Sequence, residues 1–140
     1  MIVGYTSGVF DLFHIGHLNL LKMAKAHCEY LIVAVTTDEL SIEFNGKRPV
    51  ICFNDRFAIV EAIRYVDKVV PQFNMDKYHA WDLYRFNVMF ASENPTAKWP
   101  QVEKEFLAHF TNAIPPKIIR LPYTPNVSST SIKEKLQRNI

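Results

Sequence analysis

The chain has 140 residues, of which 49% are hydrophobic and 21% are charged, and its formal net charge is +2. The length suits one domain, expected to span residues 1–140, and the composition excludes an intrinsically disordered chain. So small a net charge argues against nucleic acid or an anionic membrane as the partner. The two cysteines form no CxxC motif, no signal-peptide pattern is seen, and the longest apolar run is too short to span a bilayer. We therefore expect a cytoplasmic protein.

Hydrophobic patterning predicts strands that alternate with helices along the whole chain. We expect strands at 2–6, 30–36, 67–70, 87–91 and 118–121, and helices at 17–27, 55–65, 76–86, 99–111 and 129–138. The second of these strands is a continuous apolar run, typical of a parallel strand that is covered on both faces. The alternation predicts an α/β fold with a single Rossmann-like, doubly wound parallel sheet.

Local signals refine the ends of these elements. Thr37 precedes two acidic residues that could open a short helix, and Asn54 is predicted to N-cap the helix that follows it. Pro71 is predicted to end the third strand. Ser131 and Glu134 have the spacing of a capping box at the start of the last helix.

The most informative segment is 8–17, which reads Gly-Val-Phe-Asp-Leu-Phe-His-Ile-Gly-His between the first strand and the first helix. It brings two imidazoles, His14 and His17, to a helix N-terminus, where unsatisfied backbone N–H groups and the helix dipole favour an anion. Two imidazole donors at this point suit a triphosphate whose charge grows during a reaction. The segment therefore favours a nucleotidyltransferase.

Two other interpretations of the histidines are weaker. A helical zinc pair is usually spaced i, i+4 with a glutamate inside it, whereas His14 and His17 are spaced i, i+3. Buried histidines in a tight turn are the other alternative, which the preceding strand and the following helix disfavour. Four segments, 8–17, 37–48, 92–99 and 122–130, follow predicted strands, so we expect them to converge on one crevice.

The segment 8–17 resembles the signature of the cytidylyltransferase family, Gly-x-Phe-Asp-x-x-His-x-Gly-His. Segments 36–39, 63–71 and 128–133 resemble the bacterial glycerol-3-phosphate cytidylyltransferases of that family. His-x-Gly-His also marks adenylyltransferases of coenzyme biosynthesis and class I aminoacyl-tRNA synthetases. The synthetases are much longer and carry a lysine-rich signature that is absent here, but the adenylyltransferases remain an open alternative.

The resemblance implies three sets of site residues. Catalytic roles in holding the triphosphate fall to His14, His17 and Lys47. Nucleotide binding falls to Val9, Phe10, Asp11, Gly16, Arg48, Ser128, Ser129 and Thr130. Contact with the phosphorylated substrate falls to Arg56, Arg64, Asp67 and Lys77.

Structural alternatives stand beside several of these roles. Lys47 and Arg48 could be a solvated pair, and the hydroxyls of 128–130 could serve only as a helix cap. Arg64 and Asp67 could form a structural ion pair.

The chain also departs from the family's pattern. Tyr123 stands where the family has an arginine, which removes a bidentate phosphate donor that Lys117 or Arg120 would have to replace. Asn126 replaces a glycine, and asparagine tolerates a left-handed backbone better than other non-glycine residues. Glu93 is the only carboxylate kept from a Gly-Asp-Asp-Trp-like stretch. These departures concern substrate choice more than the chemistry.

The implied reaction is attack of a substrate phosphate oxygen on the α-phosphorus of CTP, with release of pyrophosphate. The resemblance implies Mg²⁺ on the triphosphate, a homodimer, and a small phosphorylated alcohol such as glycerol 3-phosphate as the acceptor, for cell-surface polymer or capsule synthesis. A catalytically weak nucleotide-binding module is the second hypothesis, motivated by Tyr123 and Glu93.

Overall fold

The computed structural model describes residues 1–92 and 99–139, with Trp99 described by its backbone alone. The strands are β1 (Val3–Gly8), β2 (Tyr30–Thr36), β3 (Lys68–Gln72), β4 (Val88–Ser92) and β5 (Lys117–Leu121). The helices are α1 (Ile15–Ala26), α2 (Asp38–Asn45), α3 (Phe53–Glu61), α4 (Lys77–Tyr84), α5 (Trp99–Leu107) and α6 (Ser129–Arg138).

The five strands form one parallel sheet in the order β3-β2-β1-β4-β5. The chain winds outward from β1 in one direction through β2 and β3, and then in the other through β4 and β5. This arrangement confirms the predicted doubly wound α/β fold. The direction of winding reverses between β1 and β4, which is where such sheets bind ligands.

Helices cover both faces of the sheet, as the apolar run of β2 predicts. Leu31, Val33 and Val35 pack in one cluster with apolar side chains of α1 and α3. Ile32 and Ala34 point to the opposite face and pack in a second cluster with side chains of α4 and α5. The alternation along β2 therefore fixes the sheet between two helical layers.

The sheet opens at the point where the winding reverses. β1 pairs with β2 along its whole length, from Val3–Tyr30 to Gly8–Val35. Against β4 it pairs only near its start, at Gly4–Val88 and Tyr5–Met89. The carboxyl-terminal halves of β1 and β4 are thus not paired with each other, and they form the floor of a crevice.

Two predicted N-caps are wrong. Cys52, not Asn54, precedes α3, and it makes no side-chain cap. The carboxylate of Asp38 accepts a hydrogen bond from the Phe53 N–H instead, at 3.3 Å, so the acceptor comes from a distant segment. At α6 the capping box joins Ser128 and Ser131 rather than Ser131 and Glu134.

One strand end also differs from prediction, whereas the expected short helix after Thr37 is confirmed. Pro71 lies inside β3 and aligns with Val35 of β2. Proline is tolerated there because β3 is an edge strand, in which alternate N–H groups face away from the sheet. Thr37 does begin a helix, as expected, since its hydroxyl accepts from Leu40 N–H at the N-cap of α2.

Among the described residues, no helix combines the length and the apolar character that a membrane crossing requires.

Candidate active site

A cavity of about 590 Å³ lies over the carboxyl ends of β1 and β4. The start of α1, the end of α2, the start of α4, α5 and the segment that leads into α6 contribute the rest of its lining. Its volume is typical of pockets that hold a small molecule. The structure therefore brings parts of all four predicted segments together, around 8–17, 37–48 and 122–130 and at Ser92. Residues 93–98 of the fourth, with Glu93, lie outside the described part of the chain.

Two histidines cap the first helix of this cavity. His14 is the N-cap of α1, and its Nδ1 accepts a hydrogen bond from the Gly16 N–H at 3.0 Å. In return, the Nδ1 of His17 accepts from the His14 N–H at 3.2 Å. A histidine thus takes the role that serine or aspartate usually has at an N-cap. This is why α1 begins at Ile15, two residues before the predicted start.

The capping hydrogen bonds fix which nitrogen of each imidazole is left to donate to a ligand. Because each Nδ1 accepts a hydrogen bond from a backbone N–H, each neutral ring carries its own proton on Nε2. His14 and His17 both line the cavity, and their rings stack with centroids 3.8 Å apart. The arrangement is therefore a pair of N–H donors at the positive end of a helix dipole.

Burial keeps both rings neutral in the absence of a ligand. Burial, with a smaller contribution from His14, lowers the pKa of His17 to about 4. Burial also lowers the pKa of His14. Neutral rings can donate from Nε2 without the cost of burying a charge.

Gly16 is required by the ring of its neighbour. A Cβ at this position would lie 2.8 Å from Cε1 and 3.0 Å from Nδ1 of His14. Those atoms belong to a ring that is held by its capping hydrogen bond, so a methyl group would displace the cap. The glycine of the His-x-Gly-His motif is thus explained by close approach and not by backbone conformation.

The loop before α1 is held in place by the hydrogen bonds of Asp11. Its carboxylate accepts hydrogen bonds from the N–H groups of Val50 and Ile51, at 2.8 and 2.9 Å. Its carbonyl oxygen accepts from the Ser129 hydroxyl. Phe10 and Leu12 on either side have φ angles of 55° and 51°, in the left-handed region that non-glycine residues disfavour. Asp11 therefore organises the loop, and its carboxylate is occupied by these backbone groups.

Arg56 has a different place from the predicted one. Its side chain is completely buried, with 0% exposure. It donates to the carbonyls of Val9, Thr36 and Ile51 at 2.7–2.8 Å and forms an ion pair with Asp38 at 2.7 Å. The predicted contact with a substrate is without support, since these donors are used inside the protein. Arg56 instead joins the ends of β1 and β2 to the segment before α3.

The start of α6 forms part of the cavity, as predicted. Ser128, Ser129 and Thr130 all line it. The Ser128 hydroxyl accepts from the Ser131 N–H and the Ser129 hydroxyl donates to Asp11, so both have structural partners. Asn126 adopts φ of 65°, a left-handed conformation that asparagine tolerates better than other non-glycine residues.

Lys77 also reaches the cavity, from its other side. It is the first residue of α4, it is only 6% exposed, and its Nζ lies 2.5 Å from the Ser7 hydroxyl. Burial lowers the pKa of Lys77 to about 8. Among the described residues that line the cavity, it is the one that carries a positive charge at neutral pH.

Of four other predicted residues, one lines the cavity and three do not. Val9 lines it, but Phe10 packs in the core with its ring 5.4 Å from that of His17. Lys47 and Arg48 are exposed in the loop after α2, where Arg48 lies 3.8 Å from Asp38. Neither side chain lines the cavity, so their contact with a triphosphate stays a prediction.

Arg64 and Asp67 lie at the opposite edge of the sheet, before β3. They do not pair with each other. Asp67 instead forms an ion pair with Lys25 and accepts from the Leu31 N–H. Arg64 is exposed and stacks on the ring of Tyr65. The structure does not bring either residue to the cavity of this chain, which leaves the predicted substrate contacts without support.

Tyr123, which replaces the family's arginine, lines the cavity and is 45% exposed. Neither candidate for compensation reaches it. Arg120 pairs with Glu103, and Lys117 lies at the far end of β5. Cavity residues that sequence reasoning missed include Ser7, Leu20, Met75 and Val102. Met75 lies shortly after β3 and Ser7 near the carboxyl end of β1, which was the available signal for these two.

Within residues 1–92 and 99–139, no three histidine, cysteine, aspartate or glutamate side chains are grouped so that they could hold a metal ion. Mg²⁺ bound mainly by a triphosphate and water would need few protein ligands. Its presence stays a prediction.

The sequence of this chain is similar to those of known nucleotide-transferring proteins. Residues 5–135 match a family model described as cytidylyltransferase-like. The glycerol-3-phosphate cytidylyltransferase of Bacillus subtilis (strain 168) is 32% identical over 133 residues, covering 94% of each chain. An FAD synthase of Pyrococcus abyssi is 48% identical over 63 residues, which are 45% of this chain and 43% of that protein.

A solved structure of a lipopolysaccharide core biosynthesis protein from Thermoplasma volcanium GSS1 has the same fold. It superposes with a TM-score of 0.76 at 24% identity, covering 89% of this chain and 98% of the other.

Proposed function

This chain belongs to the cytidylyltransferase-like family and is a nucleotidyltransferase, and we propose that it transfers a cytidylyl group from CTP to a small phosphorylated alcohol. The products would be a CDP-alcohol and pyrophosphate. The substrates are inferred from the similarity to the Bacillus subtilis enzyme together with the chemistry of the cavity.

The observation that carries the proposal is the reciprocal cap of His14 and His17. It holds two Nε2–H donors side by side at the N-terminus of α1, inside a cavity of nucleotide size. Donors fixed in this way are already oriented before charge develops, so they need no reorganisation during the reaction. A triphosphate is the ligand that such an arrangement suits.

The proposed chemistry needs positioning more than proton transfer. An oxygen of the acceptor's phosphate attacks the α-phosphorus of CTP, and a new P–O bond forms. The bond to the bridging oxygen breaks, and its electron pair leaves with pyrophosphate. The attacking oxygen is already anionic at neutral pH, so no general base is required. The two imidazoles would stabilise the charge that develops on the phosphates.

The remaining lining residues have supporting roles in this proposal. The backbone at the start of α6 and the Thr130 side chain would hold the outer phosphates, as a helix N-terminus favours anions. Lys77 would attract the phosphate of the acceptor. Mg²⁺ would neutralise part of the triphosphate's charge when bound.

The identity of the acceptor is the finer part of the proposal. Glycerol 3-phosphate is favoured because the Bacillus subtilis relative is similar along nearly its whole length. A role in making a cell-surface polymer follows from that acceptor, and a homodimer stays a prediction. Transfer of an adenylyl group is the second candidate, because the similarity to the Pyrococcus abyssi FAD synthase is higher over a shorter segment.

Pyrophosphate release tests these candidates. The protein is incubated with CTP or ATP and with glycerol 3-phosphate, glycerol 2-phosphate, phosphoethanolamine or phosphocholine. We expect release with CTP and glycerol 3-phosphate, reduced about 10²–10³-fold in His17→Ala because one donor is lost. The matched control is His27→Ala, which removes an exposed histidine at the other end of α1.

Two other outcomes of this experiment would each favour a different function. Release with ATP alone would replace the proposal by the adenylyltransferase. CTP binding without release for any acceptor would favour the catalytically weak module.

A further inference from the structure

Residues 122–127, between β5 and α6, contribute Pro122, Tyr123, Thr124 and Val127 to the cavity lining. This segment belongs to no strand or helix. Thr124 is half-buried, whereas the residues at 122, 123, 125 and 126 are exposed. The side chain of Thr124 is therefore the point at which this exposed stretch meets the body of the protein.

A hydrogen bond from Asn19 anchors the segment to α1. The Asn19 Nδ2 donates to the hydroxyl oxygen of Thr124 at 3.1 Å, across 105 positions of the sequence. No other hydrogen bond joins residues 122–127 to the rest of the described chain. Val127 lies at the start of the same helix, since its Cγ1 is 3.4 Å from the place that a Cβ on Gly16 would take. The segment thus follows the first residues of α1 and is bonded to them at Thr124.

The hydrogen bond from Asn19 decides what Thr124 offers to the cavity. A hydroxyl has one O–H donor and two lone pairs. The Asn19 amide donates to one lone pair, so the O–H points in another direction, and no described residue accepts from it. The Ser129 hydroxyl, by contrast, donates to the Asp11 carbonyl inside the protein. Because Thr124 lines the cavity, it presents an uncommitted O–H donor to a ligand there.

A nucleotide is the ligand that this donor suits. His14 and His17, the donors assigned to the triphosphate, begin the same helix and line the same cavity. A nucleoside triphosphate carries acceptor oxygens on its phosphates and its sugar. Because Thr124 is bonded to α1, its O–H is held relative to the two histidines before a ligand arrives. A donor held in advance loses less freedom on binding and therefore contributes more affinity.

We propose that Asn19 is a positioning residue that holds the Thr124 hydroxyl as a hydrogen-bond donor to the bound nucleoside triphosphate. This inference rests on the proposed function, in which the nucleotide occupies this cavity. Asn19 is not among the described residues of the cavity lining, so it acts through Thr124.

Calorimetric titration of Asn19→Asp and Asn19→Ala with CTP and Mg²⁺ tests the proposal. Aspartate has nearly the shape of asparagine, but its carboxylate accepts where the amide donated. The Thr124 O–H would turn to that carboxylate and leave only a lone pair for the nucleotide. We expect the Kd for CTP to rise about tenfold in Asn19→Asp and about threefold in Asn19→Ala, in which the hydroxyl rotates freely. A merely structural role would give the opposite order, because aspartate preserves the shape of the side chain.

The same substitution in a Thr124→Val background separates the hydroxyl from the added negative charge. Without the hydroxyl, Asn19→Asp should raise the Kd for CTP by less than about threefold, since only the screened repulsion between charges remains. The unfolding midpoint should change little, because a carboxylate early in a helix suits the helix dipole. Equal losses of affinity with and without the hydroxyl would assign the effect to charge and overturn the proposal. Wild-type affinity in Asn19→Asp would overturn it as well.

These titrations contain no acceptor, which keeps them separate from the proposed function. If no acceptor supports pyrophosphate release, the proposed function fails, but the order of the CTP affinities should remain. A parallel titration with ATP covers the second candidate. The expected order with ATP alone would retain the role of Asn19 and replace CTP as the nucleotide. The absence of that order with both nucleotides would refute the role of Asn19.

Discussion

Two walls of the cavity are built in different ways. The histidine wall consists of His14, Gly16 and His17, and its hydrogen bonds join residues two or three positions apart. The lysine wall consists of Ser7, Met75, Lys77 and Val102, and its hydrogen bond spans 70 residues. The histidine wall is formed by the start of one helix. The lysine wall forms only when β1, α4 and α5 pack together.

This difference fits the two roles in the proposed function. The hydrogen bonds of the histidine wall are local, which suits a reaction common to a family. A group assembled from distant segments changes when either segment changes, which would suit the choice of acceptor. The loop before the histidines nevertheless has long-range supports, since Arg56 donates to the Val9 carbonyl and Asp11 is hydrogen-bonded to Val50, Ile51 and Ser129.

Replacement of Arg56 by methionine should have the largest effect on stability. It leaves Asp38 and three carbonyls without their buried donor, which should lower the free energy of unfolding by about 3–5 kcal/mol. Urea unfolding of the purified variant measures this change. The matched control is Arg64→Met, because Arg64 is exposed, and it should change stability by less than about 0.5 kcal/mol.

Equal stability of the two arginine variants would contradict the assignment of Arg56 as an internal support. It would also favour the prediction that Arg56 contacts substrate.

Replacement of Gly16 by alanine should damage catalysis while the fold remains. The added Cβ would meet Cε1 of His14 at 2.8 Å and displace the cap. We expect kcat to fall about 10²–10³-fold, as for the loss of one fixed donor. The unfolding midpoint should change little, because alanine is a better helix former than glycine.

Ile15→Ala is the control for Gly16→Ala, since Ile15 is an exposed neighbour in the same turn. Wild-type kcat in Gly16→Ala would show that the ring of His14 is free to move, and the distinction between the two walls would then fail.

The sequence was sufficient to predict the alternating fold, because apolar periodicity is a local property. The five strands and the reversal of winding are confirmed. Helix caps were predicted less well. Asn54 has the right residue type for an N-cap, but Asp38 supplies the acceptor at α3 from another segment, which no local pattern shows. At α1 the cap is a histidine, which is not a usual N-cap residue.

Within the site, the histidine wall was predictable and the lysine wall only in part. Arg56 and Lys77 were both assigned to substrate on resemblance alone. The structure places Lys77 in the cavity wall, whereas it buries Arg56 inside the protein. A signal for their burial was present: Arg56 is four residues before Val60, and Lys77 is three before Ala80, each on the buried face of its helix. Whether such a face meets the core or the cavity depends on the tertiary structure.

The central claim is that the triphosphate of CTP binds at the two Nε2–H donors. Nitrogen NMR of the rings of His14 and His17, recorded over a range of pH with and without CTP, tests it most directly. We predict the Nε2–H form in both free rings, and a pKa of His17 that rises from about 4 when CTP binds, because the anion stabilises the protonated ring. CTP affinity should then increase as the pH falls toward that value. Ring signals that stay unchanged at saturating CTP would contradict the claim.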